Sequence, residues 1–381
     1  MEAVVKQWEL ALETLRALDI NTIFIAYAAL GLMAVLPIYI GSYRSIKFVP
    51  KQKDEEEEEF FSFEDAKMFP FIGSASLFGL YLIFKYFDKD IVNYIVTAYF
   101  TLLGVGTSSV ALLDISRYLS GMELKGTYLL GLHAREKGSG EYSIEKFTYY
   151  FGYYHIFLLV VSSVLGGYYA YSKHWIVSNF YGEAFSVSAV QLLNLDSFQT
   201  GMLLLAGLFF YDIFWVFGTD VMVTVAKNFE APIKVVFPKD IFEILQRGLF
   251  DQSGEKIAFT MLGLGDIVIP GIFVALCLQF DYHMHKKRTA KGKLVTTGSG
   301  RFKFPKPYFT SCFLAYCAGL FTTVYIMHNF KAAQPALLYL SPACTLTPLV
   351  VAFFRGEIKD MFSFKPQEEA EEQKKAEAKK S

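Results

Sequence analysis

The sequence predicts an all-α polytopic membrane protein with nine transmembrane helices, and three observations predict it. Of 381 residues, 53% are hydrophobic and only 19% are charged, where a soluble domain carries about 25% charge. Mean hydropathy is positive, at +0.33. The apolar residues fall in blocks instead of one-sided stripes, and the blocks reach the length of about 20 residues needed to cross a hydrocarbon core. These features exclude a soluble enzyme, and a formal net charge of −1 excludes a nucleic-acid partner. The lipid bilayer is the first partner implied.

Taken in order, the spans are expected near Ile20–Ile40, Met68–Phe87, Ile91–Leu113, Phe147–Tyr171, Trp175–Leu193, Ser197–Gly218, Ile257–Phe280, Tyr308–His328 and Gln334–Phe354. The first reads as a retained span and not a cleavable signal peptide. Its upstream stretch mixes Lys6 and Arg16 with Glu2, Glu9, Glu13 and Asp19. The fifth is the most polar, carrying Asn179, Glu183, Ser186, Ser188 and Gln191. An odd number of crossings puts the termini on opposite sides. The loops on the C-terminal side hold 25 Lys and Arg, against 10 on the other. The positive-inside rule therefore predicts a cytosolic C-terminus and a lumenal N-terminus. The organisation expected is a lumenal segment 1–19, helices one to five over 20–196, helices six to nine over 197–354, and a cytosolic tail 355–381, disordered after 366.

The remaining segments are connectors. Asp54–Glu59 reads as a solvated acidic linker, and His285–Lys306 as a strongly basic positive-inside determinant with anionic lipid contact as a second reading. The loop 219–256 holds two strand-capable pieces, Val221–Ala226 and Ile233–Phe237. Their exposed edges could pair with an extended peptide; an amphipathic connector is the alternative. Cys277, Cys312, Cys317 and Cys344 all lie inside apolar blocks and read as small hydrophobes without a disulfide. Neither they nor the six His have metal-ligand spacing, so no metal or cofactor is expected.

Ionisable residues inside spans cost about 2.5–3.5 kcal/mol each at the helix centre and therefore point to function. Asp212 follows Tyr211 in the sixth span, and Asp266 follows Gly263-Leu264-Gly265 in the seventh, neither with a nearby cation on its own helix. Counted from the loop between them, the two lie roughly 9 and 14 Å deep, so antiparallel neighbours could bring the carboxyls together. Close carboxylates in a low dielectric cannot both ionise. The resulting one-proton pair is the arrangement aspartic proteases use, one member as base toward water and the other as acid toward the carbonyl. Gly263 and Gly265 permit close approach, either of a helix or of a substrate strand. Pro270 and Gly271 predict a weakened ladder one turn later. In the ninth span, Gln334-Pro335-Ala336-Leu337 precedes Pro342 and Pro348, which implies irregular backbone against protein or a wet cavity. Glu183 and Lys85 are expected at an interface or cavity.

Tyr211-Asp212, Gly263-Leu264-Gly265-Asp266 and Pro335-Ala336-Leu337, in that order and in those spans, resemble the signal peptide peptidase family of presenilin-like intramembrane aspartyl proteases. The resemblance is most specific over residues 200–362. It implies a presenilin-like bundle with Asp212 and Asp266 as the catalytic pair. Gly263, Leu264, Gly265, Gln334, Pro335, Ala336 and Leu337 would shape the site, and Tyr211 would position Asp212 or substrate, or pack. The resemblance further implies an endoplasmic reticulum enzyme acting on remnant signal peptides and some type II or tail-anchored segments. Transmembrane peptides are then the substrates, with a homo-oligomer and quality-control proteins of that membrane as admissible partners. Two readings compete. A proton-coupled transporter would also use paired carboxylates, although no internal repeat supports one; a non-proteolytic scaffold would only capture transmembrane helices.

Overall fold

The computed structural model describes residues 22–47, 60–120, 128–133, 146–229, 231–247, 258–288, 304–330 and 334–366. The linker Asp54–Glu59, most of the basic stretch after Arg288, the N-terminal segment 1–19 and the tail after 366 lie outside them.

Six helices come first: α1 (Thr22–Lys47), α2 (Phe63–Tyr86), α3 (Lys89–Ser120), α4 (Tyr153–Ser172), α5 (Trp175–Leu192) and α6 (Phe198–Phe217). Between them, β1 (Phe60–Phe61) pairs in parallel with β4 (Asn194–Leu195), and β2 (Tyr128–His133) forms an antiparallel hairpin with β3 (Lys146–Phe151). The fourth crossing thus begins at Tyr153, later than Phe147, because the run Lys146–Phe151, rich in Tyr, Phe and Thr, takes strand conformation.

Beyond α6 the chain forms α7 (Val221–Asn228), β5 (Lys234–Pro238), α8 (Ile241–Arg247) and β6 (Phe259–Gly263). The last crossings are α9 (Gly265–Arg288), α10 (Pro307–Phe330) and α11 (Leu337–Arg355), followed by α12 (Ile358–Ser363). Among the described residues, eight helices are long and apolar enough to span a membrane: α1, α2, α3, α4, α6, α9, α10 and α11. The polar α5 is not in that set.

Two expectations for the 219–265 region need correction. Val221–Ala226 lies in helix α7 and is not a strand. Val221, Val225 and Phe229 recur at helical spacing, and their stripe packs with Phe84 of α2, which overrides the β-branched composition. The seventh crossing begins at Gly265, eight residues later than Ile257, because Phe259–Gly263 pairs with Lys234–Pro238 as an antiparallel ribbon. The second strand-capable piece, Ile233–Phe237, does supply β5.

Helix α9 forms the axis of the bundle. Thirteen of its 24 residues are buried, against four of 20 in α4, so α9 faces protein on most sides while α4 is largely open to lipid. Its central apolar residues join α1, α6, α10 and α11 in one core. Gly271 allows a close approach: a Cβ there would lie 2.8 Å from Val190 of α5 and 3.1 Å from Ile38 of α1.

Contacts at the helix ends sort the loops into the two faces that the charge count separates. On one face, Arg44 pairs with Asp114 at 2.8 Å and β1 meets β4. On that face too, Lys287 pairs with Asp360 at 2.6 Å, and Glu357 binds Arg288, Arg355 (3.2 Å) and the Tyr308 hydroxyl (2.8 Å). Asp281 accepts the Tyr308 and Phe309 N–H groups and so caps α10. On the opposite face, the Asn93 amide donates to the Asn228 carbonyl, and Tyr27 meets His328. Cys277, Cys312 and Cys344 are buried, and all four cysteines are free thiols.

Candidate active site

Asp212 sits in the last third of α6 and is 6% exposed. The main-chain N–H of Leu337 lies close to its carboxylate. The local reason is the start of α11. Leu338 N–H bonds the Pro335 carbonyl at 3.3 Å, and the Tyr339 and Leu340 N–H groups both bond Ala336 O at 3.1 Å. The first N–H groups of a helix have no partner within it, and that end carries the positive pole of the helix dipole. Pro335 pre-sets helical φ without adding a donor of its own. The turn Pro335-Ala336-Leu337 is buried, with Gln334 half-buried ahead of it. It therefore offers a donor near an acid that has no cation on its own helix.

Asp266 is the second residue of α9, half-buried, at the junction of β6 with the helix. This differs from a position nine residues inside a span. The Ile267 and Val268 N–H groups close on Leu264 O at 3.1 and 2.8 Å, so the helix starts at once. Gly263 and Gly265 consequently do not sit on a helix–helix face. A Cβ at Gly263 would come 3.5 Å from Asp266 Oδ2, and one at Gly265 would meet nothing within 4 Å. The glycines leave open space beside the carboxyl. Leu264, between them, is anchored on α5, where a Cβ at Gly182 would lie 3.3 Å from Leu264 Cδ2.

Pro270 stands four residues after Asp266 and cannot donate the N–H that would normally bond the Asp266 carbonyl. The fully buried Tyr316 of α10 supplies the missing donor through its hydroxyl, at 3.3 Å. Sequence reasoning expected only a weakened ladder here and missed Tyr316. The readable signal was the spacing itself, since a proline orphans the carbonyl four residues before it.

The Asp212 and Asp266 carboxyls lie within electrostatic reach of each other. Tyr211 points elsewhere: its ring covers Gly73 of α2, where a Cβ would be 3.5 Å from Tyr211 Cε2. It lines a cavity of about 540 Å³ between α2 and α6, with Pro70, Phe71, Ser74 and Gly207 among its walls. That placement favours the packing reading for Tyr211. Glu183 of α5 is largely enclosed, and its Oε1 has no hydrogen-bond partner among the described residues. Lys85 lies over the Tyr81 ring at 5.7 Å.

A bundle of membrane-spanning helices with two acids in electrostatic reach of each other, one of them beside a strand ribbon, defines a class, the polytopic membrane protein with an intramembrane acidic centre. A family profile for signal peptide peptidase matches residues 52–368. Signal peptide peptidase of Mus musculus is 45% identical over 343 residues, covering 90% of this chain and 83% of that protein. The protein of that name from Homo sapiens is 44% identical over the same length, covering 90% and 84%. A probable intramembrane protease of Schizosaccharomyces pombe is 33% identical over 338 residues, covering 89% and 94%. The chain belongs to the signal peptide peptidase family, whose members include intramembrane proteases. The transporter reading gains no support from these relatives.

Proposed function

We propose that this protease is of the aspartic type, with Asp212 and Asp266 as its catalytic pair. The reading is supported by the electrostatic interaction between an acid of α6 and an acid of α9, the first of them near the Pro335-Ala336-Leu337 turn. The pair shares one proton. The ionised member takes a proton from a water between the carboxyls, and the protonated member donates to the carbonyl oxygen of the scissile peptide. The hydroxide so generated adds to the carbonyl carbon, and collapse of the tetrahedral species expels the amine after it takes up a proton.

A substrate helix hides its carbonyls in its own hydrogen bonds, so several residues must unwind before attack. The β5–β6 ribbon beside Asp266 supports a route for this, the unwound segment pairing with a strand edge through main-chain bonds. Helix-breaking residues in the substrate then favour cleavage. The substrates proposed are remnant signal peptides and other single-span segments, in keeping with the names of the two mammalian relatives. The excess of Lys and Arg on one face supports a cytosolic C-terminus and lumenal N-terminus in the endoplasmic reticulum membrane.

The test is cleavage of a synthetic signal-peptide segment by purified protein in proteoliposomes. Asp212→Ala and Asp266→Ala should each abolish hydrolysis while the protein still inserts and melts cooperatively. Near-wild-type cleavage by either variant would remove the dyad assignment.

A further inference from the structure

The ribbon has two edges, and α5 closes one of them. The ladder is phased by Leu264 N–H to Ile233 O and Lys239 N–H to Ala258 O, both 2.9 Å. With Val236 opposite Met261 in the register, alternation along an antiparallel pair turns the main-chain groups of both residues outward, on opposite edges. On the β5 edge, the Asn179 side chain takes both groups of Val236. Its Nδ2 donates to Val236 O at 2.7 Å, and its Oδ1 accepts from Val236 N–H at 2.8 Å. One buried amide (6% exposed) thus does the work of a third strand at that position. Pro238, two residues on, has no N–H to offer. On the β6 edge, the outward groups belong to Phe259, Met261 and Gly263, and no hydrogen bond among the described residues closes those of Met261 and Gly263. Met261 is 53% exposed, and Asp266 follows three residues after Gly263.

The same face of α5 carries the rest of the dock. Trp175, Asn179 and Gly182 recur at helical spacing. The Trp175 ring lies 5.9 Å from Phe237 and 6.2 Å from Phe259. A Cβ at Gly182 would lie 3.4 Å from Val235 Cγ1 and 3.3 Å from Leu264 Cδ2. The polarity that keeps α5 from reading as a lipid-facing span is partly spent on holding this ribbon.

We propose that Asn179 is a positioning residue for proteolysis: it closes the β5 edge and fixes the ribbon against α5, so that an extended substrate adds only on the Met261–Gly263 edge, in register with Asp266. The inference rests on the Asp212–Asp266 reading. An Asn amide suits the task because its nitrogen donates and its oxygen accepts with the spacing of a peptide group. Without it, the ribbon can shift along α5, and a peptide can add on the edge away from the acids.

The experiment compares Asn179→Leu and Asn179→Gln with wild type, full chain in proteoliposomes, on one synthetic signal-peptide segment, with products mapped by mass spectrometry. Asn179→Leu keeps the volume and removes both bonds. It should lower kcat about 10- to 100-fold, the effect of a misplacement on the ångström scale, leave KM little changed, and scatter the cut over neighbouring bonds. Asn179→Gln, which keeps donor and acceptor, should recover part of kcat and narrow the product set. Wild-type kcat and products in Asn179→Leu would overturn the proposal. A lower rate with unchanged products and a lowered Tm would overturn it too, since that is what a merely structural residue gives. If Asn179→Leu fails to fold, Asn179→Ser is read in the same way. Residual cleavage by Asp212→Ala or Asp266→Ala would instead fault the dyad, whatever Asn179 does.

Discussion

Asp212 projects from a continuous helix and meets the start of another, whereas Asp266 stands at the start of its own helix and is reached through a strand. The backbone around Asp212 is held by the ladder of α6, and the main-chain N–H of Leu337 lies close to its carboxylate. Around Asp266 the ladder is interrupted. Its carbonyl relies on Tyr316, its approach path on Gly263, and its helix on the tight contact at Gly271. The lesson is that one acid is positioned by regular structure and the other by side chains from several elements. Substitutions near Asp266 should therefore have graded effects, which those near Asp212 lack.

The largest graded effect is expected at Gly263. Gly263→Val places branches where a Cβ already comes 3.5 Å from Asp266 Oδ2, and it narrows the open edge. It should cut kcat about 100-fold with little change in Tm, read by single-turnover cleavage and a thermal melt. An unchanged rate would mean that the space beside Asp266 is not used.

A smaller effect is expected at Tyr316. Tyr316→Phe removes the hydroxyl from the Asp266 carbonyl, a hydrogen bond worth about 0.5–1.5 kcal/mol, so kcat should fall about 2- to 10-fold. Pro270→Ala returns an N–H to the helix. In that background Tyr316→Phe should cost less than in the wild type, and the double-mutant cycle reads the coupling. Additive losses would show that the hydroxyl and the proline act separately.

The smallest is Gly265→Ala. Its φ is not in the left-handed region, and a Cβ meets nothing within 4 Å. Stability should change by less than about 0.5 kcal/mol, measured by chemical or thermal unfolding. A large loss would show that the junction is tighter than its geometry.

The helical frame was legible because hydropathy is a property of the local sequence, and α1, α2, α6, α10 and α11 fall near their expected places. The acids were legible for the same reason: an unpaired Asp in an apolar block stands out wherever its partner lies. What could not be read was which apolar segments leave the helix. Phe259–Gly263 has the composition of a span and becomes a strand because Lys234–Pro238 pairs with it, and no local rule announces partners 21 to 29 residues away. Val221–Ala226 failed in the other direction, its β-branched content yielding to a stripe packed on Phe84. Asn179 was visible as a polar residue in a span. Its use was not, since both its bonds go to a residue 57 positions distant.

On the substrate route proposed above, a grip built from the peptide groups of Met261 and Gly263 touches what every polypeptide has in common. Such a clamp cannot recognise a motif. Selection among clients then falls to how cheaply each one melts, so a stretch destined for disposal would be marked by poor helical cohesion and not by any spelled-out recognition code.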